Sequence, residues 1–301
     1  MDYPITRPVV QLYHPAASLR IRPRSAGNYV QCCNHVYAEA HGAALVMDVF
    51  APKSGGNGLG IVDVVSGGWM SDRVRLNEHI GMGFFDVFCD AGYTVFAVSP
   101  GSVTKFCGLN MVRHIHEALR YIKTKAHEFN IDPERLGITG VSAGGHLAAL
   151  TALRPKPSRP NTRDPFRQQN TRVAAMGFFF PPTDLVTHQD RLFDLREGDA
   201  PQRDRLLFQD GLAPHTPEEI HERLIALSPV HQVQDVTPPC LLIHGDADPI
   251  VPLSHSKQLA HALENAGGTV QLVVKPGGGH PWPTVRNEIE YMAQWFGRML
   301  T

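Results

Sequence analysis

The sequence predicts an α/β protein, a mostly parallel central sheet with helices packed on both faces. Three observations predict it. Apolar runs near 61–65, 93–98, 135–139 and 240–243 are short and do not alternate with polar residues, as strands covered on both sides should read. Helical patterns separate these runs, so strand and helix alternate along the chain. The length of 301 residues, with 43% apolar and 19% charged, provides one sizeable core and is short for two full domains. A single domain over 1–301 is expected.

The first forty residues are irregular and rich in Arg, Pro and His. Residues 34–39 and 43–50 read as two strands, and Ala40-His41-Gly42 makes the turn of a hairpin. A Gly/Pro loop over 51–60 leads into the strand 61–65, and Ser66-Gly67-Gly68-Trp69 comes directly after it. A helical pattern covers 77–91 and stops at Gly92. Strand 93–98 comes next. Over 108–129, Met111, Ile115, Ala118, Leu119 and Ile122 recur at helical spacing between His, Glu, Arg and Lys, which predicts a long amphipathic helix. Asp132-Pro133 opens a short turn before strand 135–139. Residues 143–153 are small and apolar, a buried helix.

Residues 154–171 are a polar excursion with many Arg and Pro. Strand 172–180 is stopped by Pro181-Pro182, since proline cannot donate to a ladder. Residues 183–237 have helical character, no strand rhythm and rising charge. They predict a cap or lid inserted within the domain, over 181–237. Strand 240–243, helix 255–266, strand 270–274 and helix 284–300 complete the chain.

The formal charge is -1, which argues against a nucleic-acid partner, although a local basic patch can sit within a neutral total. No stretch reaches membrane-spanning length without charge, so no membrane partner is expected. The start carries no apolar run behind a basic segment, so no signal peptide is expected in the given chain. Five cysteines, an odd number, do not suggest a disulfide framework. Cys32 and Cys33 are adjacent, without the spacer of a redox or zinc pair. Cys89 and Cys240 lie in apolar patterns and read as buried thiols. These features lean toward a reducing, cytoplasmic setting. The oligomeric state leaves no trace in the sequence.

The strongest chemical signal is Gly140-Val141-Ser142-Ala143-Gly144, a Gly-x-Ser-x-Gly pattern with a strand running in and a helix running out. A side chain at such a turn is held outward on strained backbone, and glycines flank it because larger residues would clash with the joined elements. The helix N-terminus aims free N–H groups at the reacting centre. A serine hydroxyl needs a base, and the base needs a third group to fix its tautomer. Sixteen histidines compete for that role. His280 comes after Gly277-Gly278-Gly279, between a strand and the last helix, where a glycine loop can approach the sheet edge. His114, His116, His127 and His221 sit on helices without an evident partner. His146, four residues after Ser142, is expected to face inward or toward the cap as a structural residue. Asp248 lies on a loop leaving the strand that ends near His244, at the edge where Ser142 emerges. Asp246, right after Gly245, is expected to cap its own turn. The order Ser142, Asp248, His280 is that of the α/β-hydrolase arrangement.

With these residues the chain resembles α/β-hydrolase esterases related to hormone-sensitive lipase and to bacterial feruloyl and acetyl-xylan esterases. The matching pieces are Gly140 to His146, His244-Gly-Asp-Ala-Asp248-Pro-Ile-Val-Pro252 and Gly277 to His280. The resemblance implies an α/β-hydrolase fold, a Ser142–Asp248–His280 triad and hydrolysis of small to medium carboxylic esters without metal or cofactor. Relatives often carry His-Gly-Gly-Gly-Trp where this chain reads Val65-Ser66-Gly67-Gly68-Trp69. By resemblance, the N–H groups of Gly67, Gly68 and Ala143 form an oxyanion hole. The histidine that ordinarily supports this loop is replaced by Val65, and the sequence leaves open how the loop is then held. Trp69, Phe180 and the 183–237 insertion are expected to line the substrate pocket. Asp184 is expected to cap a following helix. Two other function classes share these motifs, an amide or peptide hydrolase and a non-catalytic binding protein on the same fold. An exopeptidase with a preceding propeller does not fit in 301 residues, and an intact triad argues against a pure binder.

Overall fold

A strand that is apolar on both faces needs two covering layers, and the chain supplies them by alternating helices between the faces of one sheet. A computed structural model describes residues 27–187 and 201–301. Its strands are β1 (Tyr29–Ala40), β2 (Ala43–Pro52), β3 (Gly60–Val64), β4 (Thr94–Val98), β5 (Leu136–Val141), β6 (Ala175–Phe179), β7 (Cys240–Gly245) and β8 (Val270–Lys275). They form an eight-stranded sheet in the order β1-β2-β4-β3-β5-β6-β7-β8. The β1–β2 and β2–β4 pairs are antiparallel and all other pairs are parallel.

The helices are α1 (Arg73–Gly81), α2 (Phe84–Asp90), α3 (Gly108–Thr124), α4 (Ala143–Leu153), α5 (Pro201–Leu207), α6 (Pro217–Ala226), α7 (Ser254–Asn265) and α8 (Val285–Met299), with a 3-10 turn at Pro229–Gln232. Side chains of successive strand residues point to opposite faces. Val62, Val64, Phe96, Ile138, Phe178 and Leu242 therefore join α3, α4 and α7 in one apolar cluster. Ile61, Val95, Phe179, Leu241 and Ile243 join α1, α2 and α8 in another.

Three elements differ from the expectation. The helix expected over 77–91 is two helices. Asp72 caps α1 by accepting the N–H of Arg75, and Gly83, at φ 77°, breaks the path before α2. The left-handed backbone at Gly83 is tolerated because glycine has no Cβ. The helix expected to reach 129 ends at Thr124, and a series of turns leads to Asn130 at φ 53°. Strand β1 starts at Tyr29, five residues before the expected start. Its residues Gln31 to Asn34 are exposed, and register shifts fall between Cys32 and His35 and between Val36 and Ala38. A bulged edge strand with polar side chains lacks the apolar signature by which a strand is recognised.

Part of the inserted segment, residues 188–200, lies outside the described residues, as do residues 1–26. The described part extends the layer formed by α3 and α4. Leu206, Leu207, Leu224 and Leu227 join that core, and Gln209 donates to Lys105 O at 2.6 Å. Thr216 and Glu219 form a reciprocal capping box at the start of α6. Asp184 accepts from Val186 N, Thr187 N and the Thr187 hydroxyl, so it closes the turn over 185–187. No helix among the described residues is long and apolar enough to cross a membrane.

Candidate active site

The parallel strands end in register, with Val64 beside Gly140, Val141 beside Phe179, and Gly245 beside Lys275. The loops leaving these strands therefore gather at one edge of the sheet. Ser142 occupies the single residue between β5 and α4, at φ 54° and ψ −122°. Such backbone in a non-glycine residue costs about 1–3 kcal/mol and has to be held by its surroundings. Ser142 N donates to Phe179 O at 2.9 Å, and Gly144 N donates to Ser66 O at 2.9 Å. The flanking glycines are spatial requirements. A Cβ on Gly140 would lie 2.5 Å from Gly144 C, and one on Gly144 would lie 2.2 Å from Val64 O. Gly144→Ala is expected to cost about 1–3 kcal/mol of stability by overpacking, and to lower turnover by displacing the serine. Urea unfolding and initial rates measured on the same preparation check this.

His280 comes from the loop between β8 and α8. Its Nε2 lies 2.9 Å from Ser142 Oγ and its Nδ1 lies 2.7 Å from Asp248 Oδ2. The structure thus brings together the three side chains singled out from the sequence. Asp248 is held from several sides. Its Oδ1 accepts from Ile250 N at 2.8 Å and Val251 N at 2.9 Å. The ring of His244 lies 3.6 Å from Oδ2. Burial alone would raise the Asp248 pKa, but the contacts with His244 and His280 and the two backbone N–H groups outweigh it. The carboxyl is held far below the usual carboxylate range. Its contribution to stability is complete above the unfolded value of about 3.9 and is lost only as pH falls through the much lower folded value.

Asp246 acts across the cleft and not on its own turn. Its Oδ1 accepts from Gly277 N at 2.6 Å, and Ala247 N donates to Gly278 O at 3.0 Å. These bonds tie the Asp248 loop to the His280 loop. The approach is close enough that a Cβ on Gly245 would lie 2.1 Å from Gly278 O. His244 is a support whose role the sequence did not reveal. It is fully buried, with Nδ1 2.7 Å from Ser256 Oγ and Nε2 2.7 Å from Val251 O.

The loop after β3 differs from the expectation in one of its three donors. Gly67 N donates to Met70 O at 2.9 Å and Met70 N returns to Gly67 O at 3.0 Å. The Gly67 N–H is therefore already occupied. Of the three expected donors, Gly68 and Ala143 are the ones without an acceptor among the described residues. The loop is also well supported without a histidine at 65. Val65 is buried and its N–H donates to Val98 O at 2.9 Å. The indole N–H of Trp69 donates to His146 Nδ1 at 3.0 Å, and His146 Nε2 lies 2.7 Å from Leu227 O in the inserted segment. This arrangement fixes a neutral imidazole that donates through Nε2 and accepts through Nδ1. Burial, opposed by the bond to Leu227, pushes His146 down to about 4, which keeps it neutral. Trp69→Phe removes the donor and leaves a buried acceptor unsatisfied, for an expected loss of about 1–3 kcal/mol. Chemical denaturation measures it.

A cavity of about 580 Å³ opens beside Ser142 and His280. Trp69 and Phe180 both line it, with Pro182, Ile250 and Val251. Phe178 and Phe179 belong to the two cores, whereas the Phe180 ring centroid lies 4.2 Å from that of His280. Among the described residues of 183–237 none lines the cavity, and residues 188–200 of that expected wall lie outside the described residues. Helix α1 adds Arg75, Glu78 and His79 to the cavity wall. His79 Nδ1 lies 2.7 Å from Asp63 Oδ2, and both residues are buried. Burial disfavours the charged ring, but the Asp63 carboxylate outweighs that and raises the His79 pKa. Among the described residues no group of three or more His, Cys, Asp or Glu is arranged to hold a metal ion.

Residues 47–263 match the family BD-FAE. The probable carboxylic ester hydrolase LipM of Mycobacterium tuberculosis is 25% identical over 203 residues, covering 67% of this chain and 44% of LipM. Among solved structures, a truncated carbohydrate esterase from gut microbiota superposes with a TM-score of 0.70 at 24% identity, over 91% of this chain and 98% of that one. Thermogutta terrifontis esterase 2 gives 0.67 at 23% identity, over 93% and 97%. At these identities the solved structures show a shared fold. The chain spans less than half the length of the first curated relatives it matches.

Proposed function

The chain belongs to the BD-FAE family of α/β-hydrolase esterases, and from that premise we propose that it hydrolyses small to medium carboxylic esters through an acyl-enzyme on Ser142. The observation that carries this reading is the unbroken line Ser142 Oγ–His280 Nε2, His280 Nδ1–Asp248 Oδ2, at 2.9 and 2.7 Å, at the wall of the 580 Å³ cavity. In the proposed cycle, His280 Nε2 takes the Ser142 proton as Oγ bonds to the acyl carbon. The oxyanion forms beside the free N–H groups of Gly68 and Ala143, at the N-terminus of α4. His280 returns the proton to the leaving alcohol. A water, deprotonated by the same ring, then releases the acid and restores Ser142. Asp248 stays ionised throughout and steadies the imidazolium.

The cavity volume and its apolar wall support acyl groups of modest length. A series of aryl esters from acetyl to decanoyl tests this. Turnover is expected to peak among the short and medium chains and to exceed that of the matching anilides. No turnover across the series by folded protein would contradict the esterase reading. All five cysteines are unpaired, which supports a reducing, cytoplasmic setting as part of the same proposal.

A further inference from the structure

The polar excursion after α4 folds back on the flank of α3 and borders a second, half-open cavity of about 400 Å³, which shares no lining residue with the first. The Tyr121 and Phe166 rings stack at 5.7 Å and hold the segment in place. Arg113, Arg120, Arg154, Lys156, Arg159 and Arg167 line this cavity against a single carboxylate, Glu117. Arg120 pairs with Glu117 at 3.5 Å and Arg167 with Asp164 at 3.3 Å. The other four cations make no ion pair among the described residues. In a chain whose total charge is -1, this is a concentrated positive site.

The buried lining carries a second signal. His116 is 3% exposed, and both its ring nitrogens are buried without a hydrogen-bond partner among the described residues. Arg120 Nε, beside it on α3, is also buried and unpartnered among them. Native proteins rarely leave such atoms unsatisfied, so the buried nitrogens call for a polar partner from outside the chain. Burial, together with Lys156, Arg120 and Arg154, pushes His116 down to about 3. The ring is therefore neutral, with one nitrogen able to donate to an oxyanion that would offset the surrounding charge.

We propose that this cavity binds a small phosphate-bearing molecule, with the cations around the phosphate oxygens and His116 and Arg120 at the buried end. The guanidinium fork matches phosphate oxygens, and an excess of several positive charges suits a group carrying more than one negative charge better than a single carboxylate. Leu109, Val112 and Pro157 offer the rest of such a molecule a small apolar surface.

Calorimetric titration of the full chain with inorganic phosphate, pyrophosphate and glucose 6-phosphate tests the proposal. Proton NMR of the His116 ring is recorded on the same samples. Saturable one-to-one binding is expected for at least one of these, with a His116 shift. Tighter binding of the monoester than of the inorganic ions would identify an organic phosphate as the ligand, and the reverse a free oxyanion. In the Lys156→Gln/Arg159→Gln variant, affinity should fall about tenfold or more, while ester turnover stays at the wild-type rate and shows that the fold is kept. The proposal is overturned by absence of heat and of a His116 shift, by affinity unchanged in the variant, or by binding of a single-stranded RNA oligonucleotide with none of pyrophosphate.

Discussion

Asp248→Asn should lower kcat by about 10⁴-fold while leaving the fold intact. The side chain keeps its size, so the backbone donors Ile250 N and Val251 N can still reach Oδ1. The change falls on the atom 2.7 Å from His280 Nδ1. If the amide nitrogen faces the ring, His280 is forced into the tautomer whose Nε2 carries a proton and cannot accept one from Ser142. If the oxygen faces it, the imidazolium loses its counter-charge. Asp246→Asn makes the informative contrast. Its oxygen still accepts from Gly277 N, and it touches neither Ser142 nor His280, so the expected cost is in loop stability, about 1 kcal/mol. Rates and unfolding curves for the two variants separate the roles. A large rate loss in Asp246→Asn beside a mild one in Asp248→Asn would reverse the assignment.

The second large effect belongs to the buried pair behind α1. Among the described residues His79 is the one side chain bonded to the Asp63 carboxylate, whose Oδ1 is already buried and unsatisfied, and His79→Leu removes it. Breaking one side of such a pair is expected to cost about 3–5 kcal/mol, whereas replacing both sides with apolar residues is often neutral or stabilising. The Asp63→Val/His79→Leu double variant should therefore be more stable than His79→Leu alone. The pH dependence has a definite sign. Because the folded His79 pKa is raised, the pair stabilises fully below the unfolded histidine value of about 6.5, and its contribution fades as pH rises through the folded value. Urea unfolding of wild type and double variant at pH 6 and pH 9 measures this. Wild type should lose more stability than the double variant over that interval, and equal losses would remove His79 as the titrating group.

Legibility in the chain depended on whether a contact was local. The nucleophile turn was legible because Gly140, Ser142 and Gly144 fall within five residues, between a strand and a helix that each announce themselves. Asp248 could be chosen over Asp246 from loop position, although the reach of Asp246 to Gly277 could not, since it joins residues 31 apart. The Trp69–His146 bond spans 77 positions and the Asp63–His79 pair depends on how α1 packs under β3. Neither leaves a spacing in the sequence. The Gly67–Met70 bridge is local, yet glycine reads equally well as a free donor or a tight turn, and only backbone geometry decides between them. The inserted segment was legible as an insertion from its charged helical pattern, whereas the packing of its described residues 201–237 against α3 and α4 joins positions far apart in the chain and leaves no local pattern.

Activation of Ser142 by His280 is the step on which the proposed reaction rests. Intact-mass and peptide mass spectrometry after exposure to a fluorophosphonate test it most directly. One adduct is expected, on the peptide containing Ser142, absent in Ser142→Ala and strongly slowed in His280→Ala. Folded wild-type protein that stays unlabelled, or label that persists at another residue in Ser142→Ala, would contradict it.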